Sequence, residues 1–206
     1  MIIYTVITNN YDTLKEPKVV TPGWRYICFS DRPIQSKVWE VRLIENTPGI
    51  DRRIKIKGHD YFKHKVVIYV DGSFVIKGNL NVFISRISTN FSLLVNNRIS
   101  CTYAEAELLL RRNMINPERW EMQKEKYQRE GFPVNWGQGR NGLLIRNLSD
   151  PKVQEINERW WDEYQNGAQR DQLSLMYCFW KAGTRPMFYP RNVTRPFFKL
   201  KKHNVH

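Results

Sequence analysis

The chain has 206 residues, 41% of them hydrophobic, and a formal net charge of +13. That length suits one domain, and the apolar content, with seven Trp, excludes a disordered chain. No apolar run approaches the roughly 20 residues of a membrane helix, the opening MIIYTVIT reads as a strand and not a signal peptide, and Cys28, Cys101 and Cys178 lack the spacing of a zinc site.

Residues 2–8 (IIYTVIT) are β-branched and aromatic and predict a first strand, closed by the polar loop Asn9-Asn10-Tyr11-Asp12. Residues 25–31 (RYICFSD) predict a second strand ending on an acid before Arg32-Pro33, and residues 38–44 (VWEVRLI) alternate as a third. Residues 51–62 are basic and predict a short helix or loop. Residues 66–70 (VVIYV) are continuously apolar, as expected of a central strand covered on both faces. A short helix over 80–87, a strand over 91–97 and helices over 103–114 and 117–130 follow. Gly137, Gly139 and Gly142 mark a flexible segment before the strand GLLIRN. Asp150-Pro151 opens a helix to about Tyr164, with Asp as cap and Pro in the first turn. Asp171 begins a last helix, to Lys181, with Gly183 as its stop. Strands interleaved with helices and loops predict an α/β class with a mixed sheet.

Three of these strands run into polar or acidic loops, and in open α/β sheets ligands bind beyond the carboxyl ends of strands. The loop from Asn9 to Asp12, Asp31 and Asp71-Gly72-Ser73 are therefore expected to converge. Asp-Gly between apolar runs is also an ordinary tight-turn signal. In an extended segment Asp71 and Ser73 would project to one side, a carboxylate and a hydroxyl suited to a hard divalent cation. Gly72 between them would let a phosphate approach the backbone. The positive charge favours phosphate-bearing partners, and the basic segment over 53–57 offers donors for them. GQGRNG lacks the Lys-Ser/Thr ending of a P-loop, which argues against a nucleotide triphosphatase.

IYTVITNNYD, YICFSDRP, a basic segment leading into HDYFKHKVVIYVDGSF, then CTYAEAE and RDQLS stand in that order. They resemble a glycosyltransferase-like family of the TOD1/MUCI70 type, once known only as a domain of unknown function, over roughly residues 2–180. The resemblance implies a GT-A-like, Rossmann-type mixed sheet flanked by helices in a single domain over 1–206. Within it, a nucleotide-sugar half would span 1–75, an acceptor half 76–198 and a basic tail 199–206. The implied activity is metal-dependent transfer of a sugar from a UDP- or GDP-linked donor to a glycan, polysaccharide or other hydroxyl acceptor, with Mn2+ or Mg2+.

Carried over by position, Thr8, Asn9 and Tyr11 would line base and ribose, with Asp31 nearby. Arg53, Lys57 and His59 would face the diphosphate or sugar, beside Gly72. Asp71 and Ser73 would stand in for an Asp-x-Asp metal motif, one carboxylate short, with His203 as a further ligand. Glu105, Asp171 and Gln172 would border sugar and acceptor, with Asp171 or Glu105 as base in an inverting reaction. Glu105 and Glu107 are two apart on a helix, so at most one faces a site. Asp171 also reads as a plain helix-start carboxylate.

Two alternatives belong to other classes: a basic nucleic-acid-binding module, and an inactive relative of the fold that only binds glycan or nucleotide. The cations form no single stripe and no RNA-binding signature is present, so no nucleic acid is expected. The basic face allows peripheral membrane contact. The bare N-terminus, without an anchor, suggests a soluble cytoplasmic protein of bacterial or viral type.

Overall fold

The computed structural model describes residues 1–87 and 90–201. His203 lies outside the described residues. The β-branched opening forms strand β1 (Ile2–Ile7), flanked by β2 (Arg25–Ser30) on one side and β4 (Val67–Val70) on the other, all parallel. Strand β3 (Glu40–Leu43) extends the sheet beyond β2. It is shorter than its alternating pattern suggested. The Ser36 hydroxyl accepts hydrogen bonds from the amides of Val38 and Trp39 at 3.1 and 2.7 Å, so a turn takes up the first of those residues.

Between β3 and β4 lie two short helices, α1 (Ile50–Ile56) and α2 (Gly58–Tyr61). Strand β5 (Phe74–Ile76), helix α3 (Leu80–Ile84), strand β6 (Phe91–Val95) and helices α4 (Thr102–Arg111) and α5 (Pro117–Arg129) come next. Strand β7 (Gly139–Arg146), helices α6 (Pro151–Asn166) and α7 (Asp171–Lys181), strand β8 (Met187–Tyr189), helix α8 (Arg191–Thr194) and strand β9 (Phe198–Leu200) complete the chain. The main sheet runs β3-β2-β1-β4-β7-β6-β8, and β5 pairs antiparallel with β9 in a small second sheet. Within the main sheet β7 runs antiparallel to both its neighbours, which makes the sheet mixed.

The central strands are apolar throughout because both sheet faces are covered. Ile2, Tyr4, Val67 and Tyr69 pack into one core with Ile54, Trp160 and Met176. Ile3, Ile7, Ile68 and Val70 pack into the other with Phe83, Leu143 and Phe198. On α6, Asp150 caps the first turn by accepting from the amides of Lys152 and Val153, and Pro151 follows it.

Two expectations change. The segment over 137–142 is not a loop: Gly139 already pairs with Val95 in the sheet. Against β6 the register slips, with Leu93 opposite Leu144 but Leu94 opposite Arg140, so Asn141, Gly142 and Leu143 lie in a bulge. The basic tail is partly a strand, since Lys199 pairs with Val75 and the Lys201 amide donates to the Ser73 carbonyl at 2.8 Å.

Candidate active site

The strand order places a topological switch between β1 and β4. From β1 the chain moves outward to β2 and β3, then returns to β4 on the opposite side, leaving a crevice beyond the two carboxyl ends. Thr8 and Asn9 follow β1, and Asp71 follows β4. The three acidic or polar loops meet there. The Asn9 amide donates to Asp31 Oδ2 at 2.8 Å, and an added Cβ on Gly72 would sit 3.2 Å from Asp12 Oδ2. Asn9 and Asn10 hold φ of 54° and 57°, a conformation Asn tolerates better than most residues. With the Tyr11 amide bonded to the Thr8 carbonyl they form a tight turn.

Asp71-Gly72-Ser73-Phe74 is also a turn, closed by a 3.0 Å bond from the Phe74 amide to the Asp71 carbonyl. The extended geometry expected for 71–73 does not occur. Asp71 and Ser73 still line one common cavity. The turn reading of this motif holds, and the turn carries the chain from the main sheet into β5.

At the centre of the cleft is a residue that the sequence offered only as one member of its basic segment. Lys55 is buried, with its side chain 4% exposed, and its ammonium lies 2.8 Å from Asp171 Oδ2 and 3.5 Å from Asp71 Oδ1. Arg52, one turn earlier, lies 3.9 Å from Asp171 Oδ1. Residues 52 and 55 share a helix face, and that face looks into the cleft. Arg53 is turned outward and exposed. Lys57 and His59 lie elsewhere: Lys57 bonds Glu158 at 3.0 Å, and His59 Nε2 bonds the same carboxylate at 2.8 Å. Through the register of α1 it is Arg52 and Lys55 that line this cleft, and not Arg53, Lys57 or His59.

Burial alone would raise the pKa of Asp171, but the charge of Lys55 and then that of Arg52 outweigh it and hold the carboxyl well below the usual range. Arg170, the residue before the helix, makes no side-chain cap, and Asp171 spends its charge on Lys55 instead. Glu105 behaves oppositely. Burial pushes its carboxyl above the usual range, and Arg170, Arg140 and Arg112 pull it down without cancelling that rise. Gln172 Nε2 donates to Glu105 Oε1 at 3.0 Å. Glu107 points outward.

Two hollows share this centre. The smaller, about 250 Å³, is bounded by Thr8, Asn9, Tyr11, Arg52, Lys55 and Asp171. The larger, about 830 Å³, is bounded on one side by Ser73 and Phe198 and on the other by Glu105 and Arg140. Asp71, Asn141, Gly142 and Gln172 line both. The bulge in β7 produces this shared wall. The Asp71 amide donates to the Gly142 carbonyl at 2.9 Å. A Cβ on Gly142 would meet Asp71 Oδ2 at 2.7 Å, so only glycine leaves that carboxylate in place.

No family model matches the chain, and no curated protein matches it in sequence. Solved structures do match. A galactosyltransferase, LgtC, crystallised with donor and acceptor sugar analogues, superposes with a TM-score of 0.50 at 12% identity, over 91% of this chain and 73% of its own. The bifunctional glycosyltransferase WbbM in its apo form superposes with a TM-score of 0.51 at 9% identity, over 85% of this chain. This chain spans 37% of WbbM. The chain has a GT-A-like fold. In that GT-A-like fold the cleft between β1 and β4 is where the chain gathers its charged side chains.

The fold raises the question of a divalent metal. Asp71 Oδ1 already accepts a hydrogen bond from the Tyr69 hydroxyl at 2.6 Å and faces Lys55. Oδ2 has no partner among the described residues and lies at the shared wall. One free carboxylate oxygen fits an ion whose remaining ligands are donor phosphates and water, a habit of Mg2+ at phosphate sites. It does not make a cage for an ion without a donor. A second group, His59, Asp60 and Glu158, brings ligand atoms within 4.8 Å of one another. The Lys57 ammonium already lies 3.4 and 3.0 Å from its two carboxylates. Among the described residues no helix is long and apolar enough to cross a membrane.

Proposed function

We propose that the protein is a glycosyltransferase that takes a sugar from a UDP- or GDP-linked donor. The observation that supports this most is the chain Asp71–Lys55–Asp171 at the switch point between β1 and β4. The smaller hollow suits the nucleotide, with Thr8 and Asn9 at the base and ribose, Tyr11 at the mouth and Asp31 bracing the turn. The larger hollow suits the acceptor. A divalent ion, Mn2+ or Mg2+, held by Asp71 with Ser73 nearby, would offset the charge of the departing diphosphate when bound. Arg52 and Lys55 offer further positive charge on the same side.

The reaction forms a bond from an acceptor hydroxyl oxygen to the anomeric carbon and breaks the bond from that carbon to the donor phosphate. The diphosphate leaves with the electron pair, and the hydroxyl proton must go to a base. Asp171 is a weak base because its neighbours hold it ionised. Glu105, in the larger hollow and raised by burial, is the better proton acceptor near neutral pH. In an inverting reaction Glu105 takes that proton, and Asp171 fixes Lys55.

The test is calorimetric titration with UDP and with GDP, with and without Mn2+, on the native protein and on Asp71→Ala. One nucleotide should bind in a metal-enhanced manner, and the variant should lose at least tenfold. Failure of both nucleotides to bind a folded sample refutes the proposal.

A further inference from the structure

The larger hollow is lined by cations that outnumber its carboxylates. Arg98, Arg112 and Arg140 stand on the side made by β6, α4 and β7. Lys77, Arg191, Arg195 and Lys199 stand on the side made by β5, α8 and β9. Against them the cavity carries two carboxylates, Asp71 and Glu105. Asp71 faces Lys55 and Tyr69, and Glu105 accepts from Gln172. None of these seven cations makes an ion pair with a carboxylate among the described residues. The smaller hollow is built differently. Its Arg52, Lys55 and Arg170 stand against Asp12, Asp51, Asp71 and Asp171, and Arg52 and Lys55 are ion-paired with the last three of these.

Cations gathered around a concavity with low-dielectric walls repel one another and focus a positive potential into it. Guanidinium groups match phosphate oxygens in pairs. The balance of charge separates the two hollows, and the excess positive charge lies on the acceptor side. Resting on the transferase reading above, we propose that the acceptor carries phosphate, a saccharide bearing a phosphoryl or pyrophosphoryl group, which the two arginine walls hold while Glu105 meets the hydroxyl.

The experiment measures binding of glucose 6-phosphate, inorganic pyrophosphate and glucose by calorimetry, with the nucleotide and Mn2+ at saturation. The comparison variants are Arg98→Gln/Arg112→Gln and Arg191→Gln/Arg195→Gln. These four side chains are exposed and make no close ion pair among the described residues, so thermal stability should be unchanged. Both phosphorylated probes should bind at least tenfold better than glucose and weaken at least tenfold in each double variant, with nucleotide affinity within twofold of native. Displacement of the probes by nucleotide would assign the cations to the donor's own phosphates and overturn the proposal. Equal binding by native and variant proteins, or by glucose and its phosphate, would overturn it as well. An RNA oligonucleotide binding a hundredfold tighter than either probe would assign the cations to nucleic acid instead. Vesicles of phosphatidylglycerol against phosphatidylcholine distinguish a lipid-borne phosphate from a soluble one, and binding to the anionic vesicles that weakens in the variants supports the lipid-borne form. Failure of the nucleotides to bind refutes the transferase reading alone, because the variant comparison with pyrophosphate is then read without them.

Discussion

Lys55→Met removes the cation that two carboxylates share while keeping the length of the side chain. The ammonium is 2.8 Å from Asp171, whose own side chain is 7% exposed, so the variant strands a buried negative charge. Breaking a buried pair by removing one partner costs about 3–5 kcal/mol. Arg52 at 3.9 Å remains to offset part of this, so the low end, about 3 kcal/mol, is expected. That is a large share of a typical total of about 5–15 kcal/mol. Urea unfolding followed by Trp fluorescence at pH 7 measures it. Lys55→Met/Asp171→Asn, which removes both charges, should recover more than half of the loss. The pH dependence has a definite sign. The folded-state pKa of Asp171 is depressed, so its contribution is present above the unfolded value, about 3.9, and is lost as pH falls through the folded value. The gap between native and variant should therefore be flat above about pH 5 and narrow below about pH 4. A loss under about 1 kcal/mol at pH 7, set against the magnitude above, or a gap that ignores acid, would refute the argument that Lys55 is a buried electrostatic link.

Glu105→Gln should lower kcat by at least a hundredfold, in line with the usual worth of a general base, and abolish an acid limb that in the native enzyme lies above the ordinary Glu range, as pH–rate profiles would record. Gly142→Ala places a methyl 2.7 Å from Asp71 Oδ2, so nucleotide binding with Mn2+ should weaken while Tm moves little. Arg146→Leu should cost about 3 kcal/mol or more, because the buried guanidinium bonds Tyr4, Asn157 and the carbonyls of Lys55 and Ile56, and each orphaned polar group costs about 1–3 kcal/mol; chemical denaturation measures it. His59→Gln should leave nucleotide affinity and transfer unchanged, since His59 faces Glu158.

The sequence made the core strands and the longer helices legible for a plain reason. Residues 66–70 are apolar on both faces, and Asp150-Pro151 satisfies the first amides of a helix whatever the tertiary context. That at most one of Glu105 and Glu107 turns inward follows from helical geometry, and packing makes it Glu105. The face of α1 was not legible. Ile54-Lys55-Ile56-Lys57 alternates like a strand, and only packing of Ile54 and Ile56 under the sheet turns Lys55 inward. The β7 bulge depends on which strand lies beside it, so nothing local to Asn141-Gly142 announces it. Strands β5 and β9, three residues each, are shorter than any pattern can declare.

That short ladder has a consequence for time and not only for shape. Three pairs join β5 to β9, and two-stranded pairings standing alone are marginal in water. Phe198 is anchored, packed edge-on to Phe83 at 5.0 Å, but Lys199 and Leu200 beyond it are exposed. Segments with little buried apolar contact open at small fractions of the global unfolding free energy. Amide exchange should run orders of magnitude faster at residues 199–201 than in β1 and β4, and unaffected by mild denaturant. One wall of the larger hollow then breathes while its floor stays fixed. The rate at which a bulky molecule enters is then limited by the frequency of that opening.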